Sequence, residues 1–335
     1  MNTANTDNTV LVLGATGGIG GELARQLQRA GWKVRAMKRR GGARPGMATA
    51  TADGIDWCHG DALERRDVEA ATEGCAVIVH AVNPPGYRNW AKLVLPMLDN
   101  SLAAAKRNGA TLVLPGTVYN YGPDAFALLS EDSPQEPHTR KGAIRVELEL
   151  RLRDYARHGG RVLIVRAGDF FGPNARNSWF SQGLIRPNRA VTKISNPGMA
   201  GVGHQWAYLP DVARTMLLLL ERRDTLEPFA RFHMAGHWDA DGTEMARAIL
   251  SVVARHNGSH GHGNCVPEIG AFPWWLIRLL APFKATLREL LEMRYLWQRP
   301  LQMDNSKLKA VLGQEPQTPL EEAIATTLRS LNCLP

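Results

Sequence analysis

Short apolar runs alternate with amphipathic helical patterns in the first half of the chain. Val10–Leu13 is a continuous apolar run, and Ile19, Leu23 and Leu27 then recur at helical spacing. Further strand candidates share this short apolar character: Lys33–Met37, Cys75–His80, Thr111–Leu114 and Val162–Arg166. Repeated strand–helix–strand units predict an α/β fold, a Rossmann-type doubly wound parallel sheet with helices on both faces.

The pattern changes after about residue 172. Residues 172–204 are rich in Gly, Pro, Asn and Ser and predict loops, and residues 255–264 predict a flexible loop of glycine and histidine. Leu209–Arg222 predicts a helix. Residues 272–298 are dense in aromatic and aliphatic side chains, which favours a pocket lid or core, with contact to a membrane surface as the alternative.

This change in residue pattern after about residue 172 predicts two domains. The Rossmann domain takes residues 1–172 and about 205–235, and a small discontinuous C-terminal lobe takes about 173–204 and 236–335. Because ligands of open α/β sheets bind at the carboxyl ends of the strands, the site is expected there.

Charge and composition narrow the class of partner. The 335 residues include 40 Lys and Arg against 32 Asp and Glu, a net charge of +8 that suits small anionic molecules such as nucleotides. The basic residues are scattered, so we expect no nucleic acid, and no apolar stretch is long enough for an integral membrane helix. The sequence leaves the oligomeric state open.

Cysteine and histidine usage predicts neither metal nor disulfides. The four cysteines include no CxxC pair, and His256, His260 and His262 belong to a glycine-rich stretch that is poorly suited to hold a metal. The polar N-terminus lacks the apolar core of a signal peptide, so the sequence predicts a cytoplasmic protein.

A glycine motif between the first strand and the first helix predicts dinucleotide binding. Gly14 would allow the tight turn, Gly17 the approach of a pyrophosphate and Gly20 the close packing of the helix. The backbone N–H groups and the helix dipole would then bind the anion. The predicted cofactor-binding residues of this loop are Gly14, Thr16, Gly17, Gly18, Ile19 and Gly20.

The end of the second strand indicates which dinucleotide binds. Lys38, Arg39 and Arg40 stand where an NAD site usually carries an acid, and they favour the 2′-phosphate of NADP. NAD is possible if these residues form only a solvated basic loop. Asp61, followed by Ala62, would contact the adenine edge or cap the next helix, and these alternatives stay open.

Several motifs in this order resemble the extended branch of the short-chain dehydrogenase/reductase superfamily, the NAD-dependent epimerase/dehydratase family. The segments that carry the resemblance are the Gly14–Gly20 loop, Val79–Ala81, Thr117–Pro123, Glu131–Pro134, Arg166–Pro173, Tyr208–Ala213 and Asp304–Gly313. The resemblance implies that Ala81, at the end of the fourth strand, lies against the cofactor.

The resemblance also implies a Tyr and a Lys four residues apart on the helix after the fifth strand. Aligned on Glu149, Lys141 takes the position of the Tyr and Arg145 that of the Lys, while Thr117 alone carries over intact. Lys141 would then transfer the proton and Arg145 would hold the nicotinamide ribose. In the alternative, Lys141 is a solvated surface residue and the family chemistry is lost.

The leading expectation is an atypical member of this family that uses NADP to oxidise or reduce a small carbonyl or alcohol substrate. Nucleotide-sugar epimerase or dehydratase chemistry is the second possibility, and a non-catalytic regulator that senses NADP is the third. Candidate substrate contacts are Asn83, Tyr119, Tyr121 and His204, although Tyr119 and Tyr121 could pack and His204 could be a core residue.

Overall fold

The computed structural model describes residues 8–39, 49–50, 53–84, 90–125, 128–175, 178–260 and 267–334. Its strands are β1 (Thr9–Leu13), β2 (Lys33–Lys38), β3 (Thr49–Ala50), β4 (Asp56–His59), β5 (Val77–His80), β6 (Thr111–Gly116), β7 (Arg161–Arg166), β8 (Asp169–Phe171), β9 (Lys193–Asn196), β10 (His204–Tyr208), β11 (Phe229–His233), β12 (His237–Asp239) and β13 (Glu268–Ala271). Its helices are α1 (Gly18–Arg29), α2 (Arg65–Thr72), α3 (Trp90–Asn108), α4 (Arg140–Arg157), α5 (Leu209–Leu220), α6 (Glu244–His260), α7 (Trp274–Leu280), α8 (Ala285–Glu292), α9 (Ser306–Leu312) and α10 (Leu320–Ser330).

The main sheet confirms the predicted Rossmann-type topology. Its eight strands follow the order β11-β7-β6-β5-β1-β2-β4-β3, and the pairs from β4 through β1 to β7 are parallel. The strand order reverses beside β1, whose last residue, Leu13, is in register with Met37 of β2 and His80 of β5. The loops after these three strands therefore leave from one edge of the sheet, where ligands of such folds bind.

The chain divides into two compact units. The first consists of Met1–Asn120, Arg140–Arg166 and Ala213–Phe232. The second consists of Tyr121–Thr139, Ala167–Val212 and His233–Pro335. The domain boundaries expected from the sequence, at about residues 172, 204 and 235, stay a prediction.

The apolar strands build the core of the first unit. Leu11 and Leu13 of β1 are fully buried, as are Leu112 of β6 and Leu148 and Leu152 of α4. Strands buried on both faces carry continuous apolar runs, which explains why β1, β5 and β6 were recognisable from composition.

The second unit contains two small sheets that its composition does not predict. Strands β12, β10 and β8 form one small sheet, and β13 and β9 form another. The expectation of loops throughout residues 172–204 is wrong at β9, which lies within them. The loop expected over 255–264 is also wrong in its first part, because helix α6 continues to His260. The helix expected at Leu209–Arg222 is confirmed as α5. Among the described residues, no helix has the length and apolar character needed to cross a bilayer.

Candidate active site

The glycine loop follows β1 and is shaped by its own backbone. Gly14 has φ +89°, and a Cβ there would lie 2.4 Å from the carbonyl oxygen of Ala81. A Cβ on Gly20 would lie 2.4 Å from the carbonyl oxygen of Gly14. A Cβ on Gly17 would meet only that same oxygen, at 3.2 Å, so the chain itself demands glycine less strictly there. The absence of a side chain at Gly17 leaves the start of α1 open to a ligand.

The N-terminus of α1 is suited to an anion. Gly17 is its N-cap, with extended backbone and no side-chain hydrogen bond, and no acidic residue lies in the first turn. The amide of Gly17 donates to the carbonyl of Gly14 at 2.9 Å, which holds the turn. The remaining amides of a helix N-terminus and its dipole attract phosphate groups.

The basic residues at the end of β2 make different contacts. The ammonium of Lys38 lies 5.2 Å from the ring centre of Trp57, a cation–π contact. Arg39 is exposed and lines a cavity of about 320 Å³ together with Gly60, Asp61 and Asp67. Arg40 lies outside the described residues. Of the two basic residues that the structure describes here, Lys38 and Arg39, it is Arg39 that lines this cavity and could contact a ligand there.

Asp61 closes a turn ahead of α2. Its carboxylate accepts from the amide of Leu63 at 3.0 Å, and its own amide donates to Asp67 at 2.9 Å. The N-cap of α2 is Glu64, so the expectation that Asp61 caps this helix is wrong. Ala62 is buried, and its carbonyl accepts from Asn100 at 2.9 Å.

Lys141 and Arg145 lie one turn apart on α4, against the same aromatic ring. Lys141 is only 4% exposed, with its ammonium 5.7 Å from the ring centre of Trp90. The guanidinium of Arg145, also buried, lies 5.1 Å from that centre and donates to the side-chain oxygen of Asn83 at 2.8 Å. The alternative that Lys141 is a solvated surface residue is therefore wrong. Asn83, expected to contact substrate, is exposed and is the acceptor of this hydrogen bond, and its contact with substrate stays a prediction.

Thr117 follows β6 in the same unit. Its hydroxyl oxygen accepts from the amide of Tyr119 at 3.2 Å, within a 3-10 turn over Val118–Asn120. Helix α4 packs against this turn. The packing joins the segment that carries Thr117 to the helix that carries Lys141 and Arg145.

His80 ends β5 beneath this region and is fully buried. Its Nδ1 lies 2.9 Å from the hydroxyl of Ser101. Burial, together with the positive charge of Arg145, lowers the pKa of His80 to about 3. The ring is therefore neutral near neutral pH.

The substrate candidates of the second unit are engaged in buried contacts. Tyr121 is fully buried, and its hydroxyl lies 3.1 Å from Nε2 of His233, so this geometry favours packing over substrate contact. His204 is buried, with Nε2 2.9 Å from the carboxylate of Asp169 and its ring stacked on Trp297 at 3.8 Å. This placement favours its interpretation as a core residue.

Three carboxylates of the second unit, those of Asp239, Asp241 and Glu244, lie within 4.8 Å of one another. Asp239 accepts from the amides of Glu244 and Met245 at 3.0 and 3.1 Å, which caps α6. Hydrogen bonds from Thr243, above all, lower the pKa of Asp241 to about 2. The cluster is accounted for by the start of this helix.

Sequence reasoning missed Trp90 and the partner of Glu149. Trp90 begins the buried face of α3, and no local signal marks it as the ring that both cations contact. Glu149 served as an alignment landmark, yet only the structure pairs it with the fully buried Arg166.

A model of the NAD dependent epimerase/dehydratase family matches residues 10–235 of the chain. Solved structures with the same fold include the UDP-glucose 4-epimerase of Thermotoga maritima, with a TM-score of 0.69 and 16% identity over 96% of this chain and 98% of that one. Another is the Bordetella bronchiseptica enzyme WbmH in complex with NAD+, with a TM-score of 0.66 and 17% identity over 96% and 97% of the two chains. A third is the UDP-N-acetylglucosamine 4-epimerase of Bacillus cereus, with a TM-score of 0.68 and 14% identity over 98% and 97%.

A curated relative, the uncharacterized protein y4nL of Sinorhizobium fredii, is 26% identical over 185 residues, which cover 49% of this chain and 51% of the relative. The chain thus spans about half the length of the curated relative that it matches.

Proposed function

Because the chain belongs to the NAD-dependent epimerase/dehydratase family, we propose that it is an NADP-dependent oxidoreductase of a small carbonyl or alcohol substrate. Lys141 replaces the usual Tyr as the group that transfers the proton. The observation that carries this proposal is the burial of Lys141 over Trp90, one turn before Arg145. A lysine held out of solvent beside a second cation is costly for a fold, which favours a functional reason for its position.

The residues present suit a dinucleotide. The cradle formed by Gly14, Gly17 and Gly20 would hold the pyrophosphate at the start of α1, and Arg39 would hold the 2′-phosphate. When bound, the nicotinamide would supply the site that accepts or donates hydride.

The side chains around the proposed reaction centre have separate tasks. Thr117 would hydrogen-bond the substrate oxygen, because its hydroxyl proton is not used in accepting from Tyr119. Lys141 would give or take the proton of that oxygen. Arg145 is a permanent cation that cannot transfer protons; with its guanidinium oriented by the bond to Asn83, it would hold the ribose hydroxyls of the cofactor.

The test is turnover by the purified protein with NADPH and a panel of aldehydes, ketones and quinones. Lys141→Met should lower turnover by ~10²- to 10⁴-fold while NADPH affinity changes little. The control is Lys106→Met, which removes an exposed lysine at the end of α3 and should leave turnover unchanged. Full turnover by Lys141→Met would refute its role and direct attention to Tyr119.

A second candidate is epimerase or dehydratase chemistry on a nucleotide sugar. It is favoured by similarity in fold to structures described as UDP-glucose 4-epimerase and UDP-N-acetylglucosamine 4-epimerase. Incubation with UDP-glucose or UDP-N-acetylglucosamine and NAD, followed by chromatography of the sugars, separates it from the leading proposal. A protein that binds NADPH but converts neither class of substrate would support the regulatory alternative.

A further inference from the structure

One face of helix α7 and the turn after it presents large apolar side chains to solvent. We call Trp275, Leu279 and Phe283 the aromatic face; they are 71%, 62% and 82% exposed. Trp275 and Leu279 are four residues apart and share a face of α7, and Phe283 ends the 3-10 turn that directly follows this helix. Exposed apolar side chains are ordinary when scattered singly, but a cluster of this size indicates a binding surface.

The orientation of helix α7 is set by the packing of Trp274. Trp274, the neighbour of Trp275, donates its indole N–H to the carbonyl of Pro197 at 2.9 Å. Its ring centre lies 4.9 Å from that of Phe272, and the guanidinium of Arg294 lies 5.3 Å from it. Helix α7 is thus held through Trp274, and this arrangement turns Trp275 outward.

Cations accompany the aromatic face. Residues 275–288 include Arg278, Lys284 and Arg288, all exposed, and no acidic residue. The next acids along the chain, Glu289 and Glu292, are half-buried. Trp and Phe beside long basic side chains form the combination that inserts at the boundary between lipid headgroups and acyl chains.

We propose that the aromatic face docks the protein onto the surface of a bilayer that contains anionic lipid. Trp275 and Phe283 enter the headgroup boundary while Lys284 and Arg288 meet lipid phosphates. The contact is interfacial, because the seven residues of α7 are far fewer than a bilayer span needs. A second copy of the chain is the less suitable occupant, since a two-fold dimer would bring the same cations against one another.

Cosedimentation with vesicles tests this proposal on the full chain. The probes are vesicles of phosphatidylcholine alone and of phosphatidylcholine with 30% phosphatidylglycerol, each at 50 and 300 mM salt. We expect binding to the anionic vesicles that weakens at high salt. The double variant Trp275→Ser/Phe283→Ser should bind at least ~10-fold more weakly, and Lys284→Glu/Arg288→Glu should lose the preference for anionic lipid.

The matched control is Leu150→Ser, which removes another exposed leucine, on α4, and should bind vesicles like the unmodified protein. Circular dichroism and melting temperature verify that each variant is folded; all substituted side chains are exposed. Vesicle binding that is absent, or equal in the double variant and the unmodified protein, would overturn the proposal. It would also be overturned if sedimentation equilibrium showed a dimer that the double variant loses while no vesicles are bound.

Discussion

Arg166 donates from Nε to the carboxylate of Glu149 at 3.1 Å, and a second bond joins its Nη2 to the other carboxylate oxygen. Both side chains are buried, and the pair connects helix α4 to the carboxyl end of β7. Glu149 lies one turn after Arg145, which lies one turn after Lys141, so the three share a face of α4. The pair therefore sets the rotation at which α4 presents the two cations of the candidate site.

Removal of the carboxylate should destabilise the first unit. Glu149→Ala leaves the guanidinium of Arg166 buried without this partner, which should cost about 3–5 kcal/mol of unfolding free energy. Urea denaturation measures the loss. The control on the same helix is Glu147→Ala, whose partner Arg151 is 34% exposed and whose loss should cost at most about 1 kcal/mol. Equal, small losses in both variants would show that the buried pair does not hold α4.

Cofactor preference should depend on Arg39. We expect NADPH to bind at least ~10-fold more tightly than NADH, equivalent to about 1.4 kcal/mol, and Arg39→Ala to remove most of this preference. Titration calorimetry at one salt concentration measures both affinities. Lys38→Met, which removes a cation already placed over Trp57, should have the smaller effect. Equal affinities of the unmodified protein for the two cofactors would refute the assignment of NADP.

A side chain at Gly17 should leave the protein folded but prevent it from binding the cofactor. Gly17 has φ −90° and one near neighbour, so Gly17→Val should remain folded while the side chain obstructs the pyrophosphate. Loss of NADPH binding with an unchanged melting temperature is the expected outcome. Gly14→Ala should instead lower stability, because its φ is positive and the Cβ would collide with Ala81. Normal cofactor binding by Gly17→Val would mean that the phosphate site lies elsewhere.

Arg145 should contribute to cofactor affinity, in contrast to Lys141. Arg145→Met removes a charged donor, and a hydrogen bond of this kind contributes about 1.5–3 kcal/mol, so binding should weaken ~10- to 100-fold. Asn83→Ala should cause a smaller loss of NADPH affinity, because it removes only the hydrogen bond that orients the guanidinium of Arg145. Fluorescence titration with NADPH measures both. If Arg145→Met binds normally but turns over slowly, its role is in the reaction and our assignment is wrong.

Burial of His80 should make stability depend on pH. Its pKa is lowered to about 3 in the folded protein, so between pH 6.5 and 3 the unfolded chain binds more protons than the folded one. Stability therefore rises with pH across this window and falls on acidification. From pH 7.5 to 5.5 the loss due to His80 should be about 1 kcal/mol. His80→Asn should show a correspondingly smaller difference in urea denaturation, and an identical pH dependence would contradict this origin.

Much of the candidate cofactor site could be predicted from local pattern. The turn at Gly14, the start of α1 and the adjacent end of β5 follow from a strand, a glycine motif and a helix period within about 70 residues of sequence. The sheet at β9 and β13 could not be predicted, because its two short strands are far apart in sequence and neither carries an apolar run. The long helix α6 was missed because glycine and histidine disfavour a helix locally, while apolar contacts of Ile249 and Val253 secure it.

By itself, the sequence determined the doubly wound sheet and the glycine loop, since these depend on periodicity and on residue order. The choice of Thr117, Lys141 and Arg145 as candidate site residues came from the resemblance to the family. Only the tertiary structure decided that Lys141 is buried over Trp90 and that Asn83 directs Arg145, a bond between residues 62 positions apart. It also decided that Trp274 faces inward while Trp275 faces solvent. The physical reason is that burial and pairing arise from contacts across the fold, and two adjacent residues of one type carry no local signal for which of them will be covered.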